Sequence, residues 1–158
     1  MAAETLTATR AGSTVHATDF LGAGVLQCAW GTIAVAANVE DGDIFEMCKI
    51  PAGSTIVGGH FHAEDMDTGT ETLDLMLGWA GNGVDSADPN GLLLAGVKTG
   101  DISAHLDVAS TWMPLAGVLL TGGPVTFGAE TTIQVEANAV AATFAAGQMS
   151  VVVYYTTD

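Results

Sequence analysis

His60 and His62 stand one residue apart in the stretch VGGHFHAEDMDTG, residues 57–69, and Glu64, Asp65 and Asp67 follow at once. On an extended strand, residues two apart project to the same side, which sets the two imidazoles next to each other with Phe61 opposite. Two imidazoles so placed can hold a divalent ion if one or two further ligands converge on it. His60, His62 and Asp67 are therefore the candidate metal ligands. The competing reading is a half-buried strand with two polar histidines on one face, running into a solvated turn made of Glu64, Asp65 and Asp67.

The metal reading resembles the cupins, small β-barrel metalloproteins with an HxH strand, a Glu a few residues on and a later His. That resemblance implies a metal-binding enzyme or small-ligand binder. Here Glu64 follows HxH after a single residue, and Asp67 would have to replace the usual Glu. The later frame of Gly, PxG and His is missing: PAG lies upstream at 51–53, and His105 stands unframed in DISAHLDV. Oxygen ligands for calcium cluster in EDMDTG and in DSADPNG at 85–91, but neither stretch completes a D-x-[DN]-x-[DN]-G loop with its acidic twelfth position. Ordinary turns account for both better.

Covalent catalysis has less support. No G-x-S-x-G elbow occurs, and Ser103, His105 and Asp107 lie too close in sequence to be told from coincidence. No G-x-x-x-x-G-K loop is present to cradle a phosphate. The expectation is a protein without catalytic residues, cofactor or resident metal.

The elements that would position these residues read as strands. Apolar residues recur with period two or in short runs rich in Val, Ile, Thr and aromatic side chains. Strands are expected at 30–37, 43–50, 54–62, 71–79, 115–120, 131–137 and 148–156, divided by EDGD at 40–43, PAG at 51–53, DTGT at 67–70 and TGGP at 121–124. Short strands between glycine-rich turns predict an all-β fold: one antiparallel β-sandwich or jelly-roll-like barrel over 26–158. Asp88 before Pro89 has the form of a helix N-cap with proline at the first position, predicting one short helix through NGLLLAG. Ile102, Leu106, Ala109 and Met113 fit one face of a second helix or irregular packing equally well. Residues 1–25, rich in Ala, Thr, Gly and Ser, read as an extended N-terminal arm.

Charge narrows the partners. Eighteen acidic residues face only Arg10, Lys49 and Lys98 among the 158, a formal net charge of -15. Phosphates would be repelled, because nucleic-acid affinity comes mainly from Lys and Arg that displace counterions. Neither nucleic acid nor an anionic membrane is an expected partner. No apolar run approaches the ~20 residues needed to span a bilayer. The opening residues lack a basic region followed by a long apolar one, so synthesis in the cytoplasm is expected. Cys28 and Cys48 lie far apart in apolar surroundings, which predicts two buried thiols.

A longer pattern runs through the same stretch. In FEMCKIPAGSTIVGGHFHAEDMDTGTETLDLMLGWAGN, residues 45–82, a strand ends in a PAG turn, the next leads into a D-x-D-x-G turn, and a third carries TLDLMLGW. DSADPNGLLLAGVKTG at 85–100 and TTIQVEANAVAATFAAGQMSVVVYYTTD at 131–158 continue it. Over residues 40–158 this order resembles the capsid decoration, or cement, proteins of tailed bacteriophages. The resemblance implies a compact β-sandwich on the capsid exterior, often trimeric, that clamps neighbouring major capsid subunits and has no catalytic residues. The His60 and His62 pair and the Ala-rich arm are not part of that frame.

Overall fold

The computed structural model describes residues 5–7, 25–68, 72–92 and 113–157. Among the described residues nine strands and one helical turn follow one another: β1 (Thr5–Thr7), β2 (Gln27–Val35), β3 (Ile44–Ile50), β4 (Ser54–Ala63), β5 (Asp74–Trp79), β6 (Met113–Pro114), α1 (Val118–Thr121), β7 (Val125–Thr126), β8 (Thr131–Ala139) and β9 (Gly147–Thr157). They form two sheets. The first runs β1-β3-β8-β5; the second runs β2-β9-β4, with β6 and β7 both pairing the free edge of β4. Every pairing is antiparallel except that of β1, which joins β3 in parallel. The fold is thus the expected all-β sandwich.

Period-two alternation explains which face of each strand is buried. Phe45, Leu75, Leu77, Ile133 and Val135 of the first sheet meet Phe61, Met149, Val151, Val153 and Tyr155 of the second in one core. Each of these large side chains removed from water contributes about 1.5–3 kcal/mol.

Two β-bulges change the phase of the alternation. On β3, Glu46 pairs Gln134 and Cys48 pairs Ile133, so Met47 is an extra residue. Its insertion turns both Met47 and Cys48 inward, and Ile50 then continues the buried face. On β4 the extra residue is Val57. Before it the buried positions are Ser54 and Ile56; after it they are Gly59, Phe61 and Ala63.

β2 of the second sheet packs closely on β3 of the first at Gly31. A Cβ placed on Gly31 would overlap the carbonyl of Met47, the bulged residue, so only glycine allows this approach.

Two expected elements differ. Residues 115–120 are not a strand: Leu115 N–H donates to Gly59 O, Ala116 N–H to Leu92 O and Val118 N–H to Gly91 O, three acceptors that do not lie along one strand. Gly117 then takes φ 57° and the chain turns once as α1. The helix expected from Asp88 begins instead as a tight turn in which Gly91 N–H donates to Asp88 O at 3.3 Å, because Asp88 is already bridged to Trp79. The rest of that candidate, like Ile102, Leu106 and Ala109, lies outside the described residues, whereas Met113 begins β6. No helix among the described residues is long and apolar enough to cross a membrane.

Gly31→Ala is expected to destabilise the protein by about 2–3 kcal/mol, since a main-chain carbonyl must move to admit the methyl group. Ala34→Ser on the exposed side of the same strand should stay within about 0.5 kcal/mol of wild type in urea denaturation.

Candidate functional site

The β4 bulge decides where the histidines point. With Phe61 turned inward, His60 and His62 both lie on the outer face of the second sheet, half-buried between neighbouring strands. His60 sits opposite Val152 and Pro114, and its ring meets Tyr154 edge-on, 5.8 Å between centroids at 79°. His62 sits opposite Ser150. The side-by-side placement expected from the sequence is therefore present.

Asp67 is placed elsewhere and does other work. It is fully buried, at 0% exposure, where the turn after β4 meets the loop joining β8 to β9. Its Oδ2 accepts from the backbone N–H of Thr72 (2.8 Å), Leu73 (3.1 Å) and Ala142 (3.1 Å), and the Thr72 hydroxyl, which donates to Val140 O at 2.8 Å, lies 3.2 Å away. Its Oδ1 accepts from Thr143 N–H at 2.9 Å. Burial pushes the carboxyl up, but backbone hydrogen bonds from Thr72, Thr143, Ala142 and Leu73 outweigh it and hold the group well below the usual carboxylate range.

The acidic turn is thus a solvated turn only in part. Glu64 and Asp65 are exposed, and Asp65 Oδ1 accepts from Asp67 N–H at 3.0 Å, an Asx turn that aims the Asp67 side chain inward. Main-chain bonds seal the junction: Glu64 N–H to Gln148 O, Thr68 N–H to Thr143 O and Ala145 N–H to Met66 O. Four main-chain donors occupy the Asp67 oxygens, which leaves little capacity for a metal ion beside the histidines. Among the described residues no group of three or more His, Cys, Asp or Glu side chains is placed to hold one. Ser103, His105 and Asp107 lie outside the described residues.

The second acidic loop is also held by its own atoms. Asn82 Oδ1 accepts from the N–H groups of Val84 and Asp85, while its Nδ2 donates to Asp85 Oδ2 (2.7 Å) and Thr131 Oγ1 (2.6 Å). Asp85 Oδ2 further accepts from Gly128 N–H at 2.9 Å. Trp79 Nε1–H donates to Ser86 O, and its ring meets Phe127 at 5.3 Å.

The two cysteines differ, against the expectation that both are buried. Cys48 is buried by the β3 bulge, and that burial, with a smaller effect of Cys28, pushes its thiol up to about 12. Cys28 is exposed, because the inward positions of β2 are Ala29 and Gly31 and the thiol shares the outer side with Trp30.

Reading the sequence for motifs missed a larger feature of this surface. β2, β4, β6, β7 and β9 contain no Asp, Glu, Lys or Arg at all. The outer face of the first sheet carries Glu46, Lys49, Asp74 and Glu136. The signal was visible in the strand sequences QCAWGTIAV, STIVGGHFHA and GQMSVVVYYTT, but it acquires meaning only once they are known to be neighbours.

No protein-family model matches the chain, and no curated protein matches it in sequence. Solved structures do match in fold. A chain of the capsid of Ralstonia phage GP4 is 19% identical with a TM-score of 0.75, covering 98% of this chain and 98% of that one. A chain of the cyanophage Pam1 capsid asymmetric unit is 22% identical with a TM-score of 0.67, covering 95% and 97%. A chain of the acidic stable capsid structure of the Helicobacter pylori bacteriophage KHP30 is 15% identical with a TM-score of 0.54, covering 85% and 90%. At these identities the shared property is the fold.

Asp67→Asn should cost about 3 kcal/mol, because an uncharged amide weakens the bonds and sets N–H groups against N–H donors. A carboxyl held low in the folded state stabilises fully above its unfolded value near 4 and loses that contribution as pH falls below it. The gap between wild type and variant in urea denaturation should therefore narrow from about pH 5 to about pH 2. Thiol labelling of the native protein at neutral pH should modify Cys28 and spare Cys48 until the chain is unfolded.

Proposed function

We propose that this chain is a non-enzymatic structural virion protein of a tailed bacteriophage, a decoration or cement protein that sits on the capsid exterior and stabilises it by binding major capsid subunits. The observation that carries the reading is the fold match over nearly the full length of chains in three phage capsid structures. The order of turns and strands over residues 40–158, which resembles the decoration proteins, supports the same role.

The charge distribution fits that address. A protein with a net charge of -15 is repelled by packaged DNA and is compatible with the outside of a shell. In this reading the partners are the major capsid protein and further copies of the chain, as a trimer, with no nucleic acid, membrane or cofactor involved. On the same reading the chain divides into an arm, 1–25, and a body, 26–158, that would occupy the shell, with Thr5–Thr7 of the arm paired to β3 of the body. The protein is made in the host cytoplasm and ends in the virion.

The test is co-sedimentation of the purified protein with shells of its phage assembled without it. Saturable binding and a raised melting temperature of the shell are expected; shells that pellet without it at micromolar concentration would overturn the reading. The double variant His60→Ala, His62→Ala should bind within about twofold of wild type, since no step of the role uses a metal. Simultaneous loss of binding and of a bound divalent ion would restore the histidine pair as a metal site.

A further inference from the structure

A chain this acidic can touch a copy of itself only where carboxylates do not meet. Ionic contacts cannot offset the repulsion, because the chain has only Arg10, Lys49 and Lys98, and Lys49 already pairs with Glu130 at 3.1 Å. Among the described residues one broad surface is free of charge: the outer face of the second sheet. Its strand register sets Trp30, Val152 and His60 in one row and Thr32, Ser150 and His62 in the next. Trp30 is 47% exposed on this face.

Interface cores have this composition, depleted in charge and enriched in Trp and Tyr. Three strands about 4.8 Å apart and some nine residues long offer only about 400 Å², roughly half of what one side of a stable interface buries. The charge-free surface does not stop at β4, however. Residues 113–126, whose strands β6 and β7 pair the free edge of β4, also lack any charged residue, and Leu120 between those two strands is 68% exposed. Face and margin together approach the area that a stable contact needs.

We infer that copies of this chain associate through the charge-free outer face of the β2-β9-β4 sheet, continued over the 113–126 margin, with Trp30 and Val152 at the contact. The inference rests on the proposed self-association but not on the proposed adhesion to a shell. Because the contact is neutral and the remaining surface is negative, salt screens the repulsion without breaking the bond.

Native mass spectrometry and sedimentation of the full chain test it. The wild type is expected to be an oligomer whose association holds or tightens from about 0.05 M to about 0.5 M salt. The double variant Trp30→Asp, Val152→Asp should associate at least about tenfold more weakly while unfolding cooperatively like wild type, whereas Thr132→Asp on the outer face of the other sheet should leave the oligomer unchanged. A monomeric wild type at tens of micromolar, a double variant that assembles as well as wild type, or dissociation by salt would overturn the inference. Co-sedimentation with shells is read separately, so failure there would remove the capsid role while leaving this contact standing.

Discussion

One carboxylate closes one end of the sandwich. Asp67 gathers backbone amides from two segments far apart in sequence, 72–73 and 142–143, onto a group that is itself out of water. A buried charge is tolerated only when its lone pairs are filled, and here the filling groups are the amides that the turn and the loop would otherwise leave without acceptors. Loss of the carboxylate would free both segments together. The paired ends of β4 and β9 at Ala63 and Met149, and of β5 and β8 at Asp74 and Ala139, lie beside the junction and depend on it for their register.

Phase is the second constraint. A strand with one buried face tolerates no one-residue slip, because a slip exchanges core for surface. Each bulge performs such an exchange deliberately, on β3 at Met47 and on β4 at Val57. Without the Val57 bulge the histidines would replace Phe61 in the core; with it, they join Val152 and Tyr154 on a neutral outer face. The same device on β3 buries Cys48 and presses its Met47 carbonyl to within reach of Gly31 on the other sheet. Bulge, glycine and sheet spacing are thus one interdependent arrangement.

These two constraints explain what could be read from the sequence. Strands expected at 43–50, 54–62, 131–137 and 148–156 lie within two residues of those found, because side-chain period and turn chemistry are local properties, and PAG marks the turn between β3 and β4. The phase change at Val57 was not legible, since STIVGGHFH fits alternation in either phase until its partners are known. The inward aim of Asp67 depends on amides some 75 residues away, so a motif reading placed it in a solvated turn. LAGVLL at 115–120 has strand composition but bonds to Gly59 and to the adjacent Gly91 and Leu92, two places that no local window contains. Cys28 has apolar neighbours, yet its position on β2 sets it outward.

The nature of the Asp67 junction also bears on how little sequence the fold demands. Its four donors at 2.8–3.1 Å are main-chain N–H groups, so the junction requires a carboxylate at one position and backbone geometry at the others. Side chains at 142 and 143, alanine and threonine here, contribute nothing to the bonds that hold the loop. The Asn82 turn follows the same economy, since it spends one amide side chain on the N–H groups of Val84 and Asp85. A sandwich tied together through its main chain leaves most outward positions unconstrained by folding. That is a physical reason why chains only 15–22% identical can share this architecture, and why its two outer faces are free to differ so sharply in charge.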